Sequence, residues 1–222
     1  WLLPRVHPAR AGSGRRLDLE AAMLLLLTLL AWRWRALCSL IDFNPDESQL
    51  AAGALTLLHD PVYWRSVDGT TSGPINFYAL VPFLAWDGLP PVFATRLGGL
   101  IFLWGSLSLT FAFLRRACGA TAALLGLLPV WLFAAVATDC DFVHCSSEQV
   151  SLPLIAGSAL LLHAAVRAGS PPSGWRWHLS ALLAGLLPWA KLQSALFAAA
   201  LTAVAMILAL RAEGAGLRAR LR

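Results

Sequence analysis

The sequence predicts an all-α, polytopic membrane protein of about six transmembrane helices, with amphipathic interfacial helices in its first outer loop. Three observations carry that prediction. The 222 residues are 58% hydrophobic and only 13% charged, about half the charged share of a soluble domain. Apolar stretches recur that approach or reach the roughly 20 residues needed to cross a bilayer. Basic and acidic residues also segregate to opposite ends of those stretches. The net charge of +5 is therefore read as a topology signal, and nucleic acid is not expected as a partner.

Residues 1–18 read as a basic cytoplasmic tail carrying Arg5, Arg10, Arg15 and Arg16. A first span is expected over 19–37, around Met23-Leu24-Leu25-Leu26-Leu27. A cleaved signal peptide is the rival reading of this start. It fits poorly, because Trp32-Arg33-Trp34-Arg35 follows the apolar core where small residues would mark a cleavage site. Arg33 and Arg35 are expected to reach the headgroups beside the two tryptophans.

Residues 38–91 form the first outer loop. Asp46 to Leu58 places Leu50, Ala51, Ala54, Leu57 and Leu58 at helical spacing, and Pro45 suits the first helical position. Ser66 to Pro74 carries loop punctuation. Ile75 to Trp86 is a short apolar helix, too short to span and expected in the interface.

Residues 92–211 supply the further spans: Val92–Leu114, Ala120–Thr138, Gln149–Val166, and a Leu179–Leu210 stretch breaking near Pro188–Lys191. A second acidic loop lies at 139–148, and 212–222 is a basic cytoplasmic tail. The chain opens on Trp1 and closes on a basic run, so it is expected to be a truncated part of a longer protein. With the first tail inside, twelve of the seventeen basic residues fall inside and nine of the twelve acids outside. That pattern satisfies the positive-inside rule and implies a multi-pass protein of the cell membrane, expected to be a bacterial inner membrane, with a cytoplasmic N-terminus.

Asp46-Glu47, at the mouth of a membrane helix, is the first candidate site. A half-desolvated carboxylate there can act as a general base or take a cation. An acidic helix start that complements the macrodipole accounts for the same residues. The second candidate is Asp139-Cys140-Asp141, with His144, Cys145 and Glu148 behind it. Two carboxylates at i and i+2 can converge on a divalent cation, which makes Asp139 and Asp141 the candidate metal ligands. Zinc on Cys140, His144 and Cys145 lacks the usual paired spacing, and a Cys140–Cys145 bridge needs an oxidising outer side. Glu148 reads either as a second acid of the site or as a charge at a helix start. Of the outer cations, Lys191 at the helix break and Arg65 after Tyr63-Trp64 are the candidates to hold a phosphate; charge balance is the alternative. No Walker loop, Ser-His-Asp arrangement or H-E-x-x-H helix is present.

Several of these segments together resemble the GT-C class of membrane glycosyltransferases, in the branch of protein O-mannosyltransferases and lipid A aminoarabinose transferases. They are Asp46-Glu47 after the first span, Asp60-Pro61-Val62-Tyr63-Trp64, Gly73-Pro74-Ile75-Asn76-Phe77-Tyr78, the Arg115-Arg116 turn, Phe142 to Glu148, and Leu187-Pro188-Trp189-Ala190-Lys191. The likeness covers most of this chain and only the N-terminal part of such an enzyme. Ser72-Gly73 stands where that family often carries Glu-Lys.

The resemblance implies a reaction on the outer face. A polyprenyl-phosphate-linked sugar would be the donor, and a protein, lipid or glycan hydroxyl the acceptor. Asp46 would be the general base of an inverting transfer and Glu47 its helper. Asp139, Asp141 or Glu148 would orient the acceptor or hold a divalent cation, and Lys191 or Arg65 would hold the donor phosphate. Membrane lipids are expected around the spans. The alternative is a non-catalytic polytopic protein, transporter-like or a partner subunit, or an inactive fragment of a transferase.

Overall fold

The computed structural model describes residues 11–39, 44–69, 71–137 and 144–220. Helices dominate: α1 (Ala11–Cys38), α2 (Pro45–His59), α3 (Tyr63–Ser66), α4 (Pro74–Leu84), α5 (Pro91–Cys118), α6 (Ala120–Val136), α7 (Glu148–Arg167), α8 (Trp175–Ala190) and α9 (Ala195–Arg220), with a 3-10 turn at Leu192–Ser194. Among the described residues, four segments are long and apolar enough to cross a membrane: Gly14–Cys38, Pro91–Cys118, Glu148–Arg167 and Leu192–Ala212. The molecule is an all-α polytopic membrane protein.

The helix ends follow from local chemistry. Proline occupies an N-terminal position of α2, α4 and α5, where its missing N–H leaves no intrahelical bond unmade. The Asn44 side chain accepts the Asp46 N–H at 2.9 Å and so caps α2. At the other end of α5, Arg115 and Arg116 sit in the last turn and Gly119 follows at φ 95°. That left-handed residue turns the chain directly into α6.

The first helix begins earlier than expected. It takes in Arg15 and Arg16, because Arg, Leu, Glu and Ala are good helix formers and Arg16 pairs with Glu20 one turn on at 2.7 Å. Arg33 is buried rather than at the headgroups, whereas Arg35 is exposed.

Three apolar clusters hold the helices together. Leu25, Leu29, Leu100, Leu107, Phe111 and Leu127 join α1, α5 and α6. Leu50, Ala54, Leu57, Tyr63, Phe77 and Leu80 join α2, α3 and α4. The short helix α4 packs against α2 and α3 through Phe77 and Leu80. A Cβ on Gly53 would come within 2.4 Å of the Phe77 ring, so α2 and α4 approach at a closeness only glycine permits.

Leu162, Ala165 and Trp177 form the third cluster, between α7 and α8. Those two helices are also tied by Ser158 and Ser180, each hydroxyl donating to the other residue's carbonyl at 3.0 and 2.9 Å. Small polar residues at a close helix crossing are a usual membrane solution. By contrast, α9 leaves most of its surface to the surroundings, with Leu196, Phe197, Met206, Ile207 and Leu210 all exposed.

Candidate functional site at the outer end

The outer ends of the helices converge on a buried ion pair. Glu47, in the first turn of α2, is fully buried, and Arg96, in the second turn of α5, is 6% exposed. The Arg96 Nε donates to both Glu47 carboxylate oxygens at 3.2 Å, and Nη2 donates to Oε2 at 3.2 Å. Arg96 Nη1 donates to the carbonyls of Ala36 at 2.9 Å and Ser39 at 2.7 Å, closing the end of α1. Glu47 Oε1 takes a further bond from the Cys145 N–H at 3.1 Å. One pair thus ties α1, α2, α5 and the segment leading into α7.

An ion pair this deep survives desolvation only because its remaining polar atoms are bonded as well. The same surroundings act on Cys145. Burial, reinforced by the Glu47 charge, pushes its thiol up to about 12, and that thiol is free.

A second constellation lies where α8 ends. Pro188 sits in the last turn of α8, and Lys191 is extended at φ −150° before the 3-10 turn. The freed backbone is taken up by the segment before α4. Gly73 N–H donates to the Ala190 carbonyl at 2.8 Å, the buried Asn76 Nδ2 donates to the same oxygen at 2.6 Å, and Leu192 N–H donates to Thr71 O at 3.2 Å. A Cβ on Gly73 would lie 1.9 Å from the Trp189 carbonyl oxygen, so glycine is required by that approach. Asn76 Oδ1 is buried with no partner among the described residues.

Beside this break is an open cavity of about 340 Å³, walled by Tyr63, Trp64, Asp68, Ser72, Pro188 and Trp189 among others. Trp64 and Trp189 meet edge to face at 6.0 Å, and both are exposed.

The candidate residues from the sequence fall at distinct points of this end. Asp46 is exposed on the first turn of α2, one residue from the buried Glu47. Glu148 forms an ion pair with Lys191 across α7 and the α8 break. Arg65 pairs with Asp60, which also takes the Ser66 hydroxyl. Arg65 and Ser66 hold the Asp60 carboxyl far below the usual carboxylate range. Both cations considered for a phosphate are thus engaged by carboxylates of the chain itself. Asp139, Cys140 and Asp141 lie outside the described residues, so the metal reading of that loop is not addressed by the geometry. Among the described residues no three metal-ligating side chains gather.

Of the second loop, the described part reaches Glu47 through the Cys145 backbone N–H. Arg96 and Asn76 carry the geometry but stood out less in the sequence. An arginine just inside an apolar span was the available signal for the first. For Asn76, 114 residues from Ala190, no sequence signal marked the contact.

No family model matches the chain, and no solved structure matches it. Among curated proteins it is similar to the iron(3+)-hydroxamate import system permease protein FhuB of Escherichia coli (strain K12), at 34% identity over 143 residues. The match takes in 57% of this chain and 22% of that protein. The chain is a multi-pass membrane protein of the bacterial inner membrane.

The similarity to a permease overturns the resemblance to GT-C glycosyltransferases. It removes the reading of the chain as an enzyme, with its polyprenyl-phosphate sugar donor and its protein, lipid or glycan acceptor. The roles written for Asp46, Glu47, Lys191 and Arg65 belonged to that reaction and are not carried over. The motifs misled because they are short and lie at helix ends. Acids in a first turn, Gly-Pro before a helix and a proline-lysine break serve helix termination in any polytopic protein.

Proposed function

We propose that the chain is part of a membrane permease, working in an import system that carries a polar solute such as an iron(3+)-hydroxamate complex inward. The observation that carries this reading is the 34% identity over 143 residues to the E. coli permease. The transporter-like alternative drawn from the sequence is the one this match favours.

Features of the outer end support the reading. Transporters place solute contacts where membrane helices are interrupted and the backbone is unwound. The α8 break at Pro188–Lys191 is such a place, and it borders the aromatic-walled cavity. A cavity of about 340 Å³ is within the range that holds small molecules. In this account Trp64 and Trp189 give the solute apolar contact, Asp68 gives it a polar one, and the Glu47–Arg96 pair keeps the surrounding helix ends rigid.

The test is uptake of 55Fe-labelled ferric hydroxamate by cells that lack their own hydroxamate permease, keep the rest of that import system, and express the full-length protein. Uptake above the empty-vector level, reduced at least roughly fivefold by Trp64→Ala with Trp189→Ala at unchanged protein level, is the expected result; the two aromatic contacts together are worth on the order of 1–3 kcal/mol. Uptake no higher than in the empty-vector cells would overturn the reading.

A further inference from the structure

A different kind of opening runs lengthwise along the bundle, from near the start of α9 toward its cytoplasmic end. A cleft of about 500 Å³ runs between α5, α7 and α9, with Phe113, Ile155, His163, Phe197, Val204 and Leu208 among its walls. Its lining is apolar except at His163. The Phe113 ring meets that imidazole edge to face at 5.7 Å, and its Nε2 is buried without a partner among the described residues.

The three helices that form the cleft run in the same direction, from the outer end to the cytoplasmic end. Each carries an arginine within one turn beyond its lining residues. Arg116 follows Phe113 by three positions, Arg167 follows His163 by four and Val166 directly, and Arg211 follows Leu208 by three. One turn advances about 5.4 Å, the step from acyl region to headgroup. Arg116 is already engaged by Asp18 and the Ala112 carbonyl. Arg167 and Arg211 are exposed.

We propose that this cleft binds an anionic phospholipid of the inner leaflet. One acyl chain lies along the apolar walls, and the phosphate is held by Arg167 and Arg211. His163 lines the cleft one turn before Arg167. The charge arrangement selects the occupant: an apolar groove alone would take any acyl chain, whereas a groove ending in cations between membrane helices favours an acidic headgroup. The inference does not depend on the transported solute.

The experiment uses the full-length protein purified in a neutral detergent. Binding of dioleoyl phosphatidylglycerol, dioleoyl phosphatidylcholine and free glycerol 3-phosphate is measured by native mass spectrometry, alongside the melting temperature. Two arginine contacts correspond to roughly thirtyfold in affinity. Phosphatidylglycerol is therefore expected to bind about thirtyfold more tightly than phosphatidylcholine, and the double variant Arg167→Gln/Arg211→Gln to lose that preference. Ala200→Phe, and independently Ala159→Leu, are expected to weaken both lipids by filling the cleft while the lipid-free melting temperature holds. Equal affinity for the two lipids overturns the proposal. So does glycerol 3-phosphate competing as well as the intact lipid, which would mean a plain anion site. Crosslinking that places a second copy of α9 in the cleft of the lipid-loaded protein also overturns it.

Discussion

The outer and cytoplasmic ends of the bundle each carry an acid held by arginine, and the two clusters differ in burial. At the outer end Glu47 is fully buried and Arg96 nearly so. At the cytoplasmic end Asp18 takes bonds from Arg115 at 2.6 and 3.0 Å and from Arg116 at 2.7 Å, but all three side chains keep contact with solvent. The cytoplasmic bonds are the shorter ones. Burial still makes the outer pair the more consequential to break, because removing one partner strands a charge away from water. Bond length is a poor guide to energetic weight when the surroundings differ this much.

The largest predicted effect follows from that contrast. Arg96→Ala leaves Glu47 buried and uncompensated, and a loss of about 3–5 kcal/mol is expected, read as a fall in melting temperature in detergent. Replacing both partners by leucine should be milder than either single change, because no charge is stranded. A double variant as damaged as Arg96→Ala would show that the bonds to Ala36, Ser39 and Cys145 outweigh the ionic pairing.

Next comes the α8 break. Gly73→Ala forces a Cβ into the Trp189 carbonyl, and separation of the segment before α4 from the break is expected. The readouts are a lowered melting temperature and a change in tryptophan emission, since Trp189 contacts Trp64. Gly185→Ala is the control: a Cβ there meets nothing within 4 Å, and a small effect is expected.

At the cytoplasmic end, Asp18→Asn should cost less than Arg96→Ala, because Asp18 and both arginines keep some contact with solvent and salt. The loss should shrink further as ionic strength rises. A loss equal to that of Arg96→Ala would erase the distinction between the two ends.

The thiols give a smaller and cleaner contrast. In a Cys140→Ser background, maleimide at pH 8 is expected to label the exposed Cys38 and Cys118 and to spare Cys145. The Cys145 thiol is buried, and with its pKa pushed up to about 12 it stays protonated there. Denaturation should make it reactive.

The smallest effect is at Asp60. Its folded pKa is depressed, so its contribution is present above the unfolded value and is lost only as pH falls through the folded one. Lowering the pH from 7 to 5 should therefore leave the Asp60–Arg65 pairing intact, with Trp64 emission unchanged.

Much of the fold was legible because helix ends are written locally. Pro45 marks a start, Arg115-Arg116 marks an end, and the Pro188–Lys191 break falls where it was expected. The short helix α3 and the early start of α1 were not, because four residues carry too little period and a basic tail resembles a loop in composition. The site was harder to read. Glu47 and Arg96 are 49 residues apart and Glu47 and Cys145 are 98 apart, distances over which helical spacing says nothing about contact. Asp46, the more conspicuous acid by its place next to Pro45, turned out exposed; its neighbour, one position on, points into the protein.

In the permease reading, the outer end serves passage of a solute rather than chemistry on one. The direct measurement is flux in proteoliposomes holding the full-length protein with the other components of a ferric-hydroxamate import system. Each sample is assayed in parallel for sugar transfer from a polyprenyl-phosphate donor. Protein-dependent entry of 55Fe-hydroxamate that falls with Trp64→Ala/Trp189→Ala, without sugar transfer, is the expected result. Sugar transfer without hydroxamate entry would contradict it.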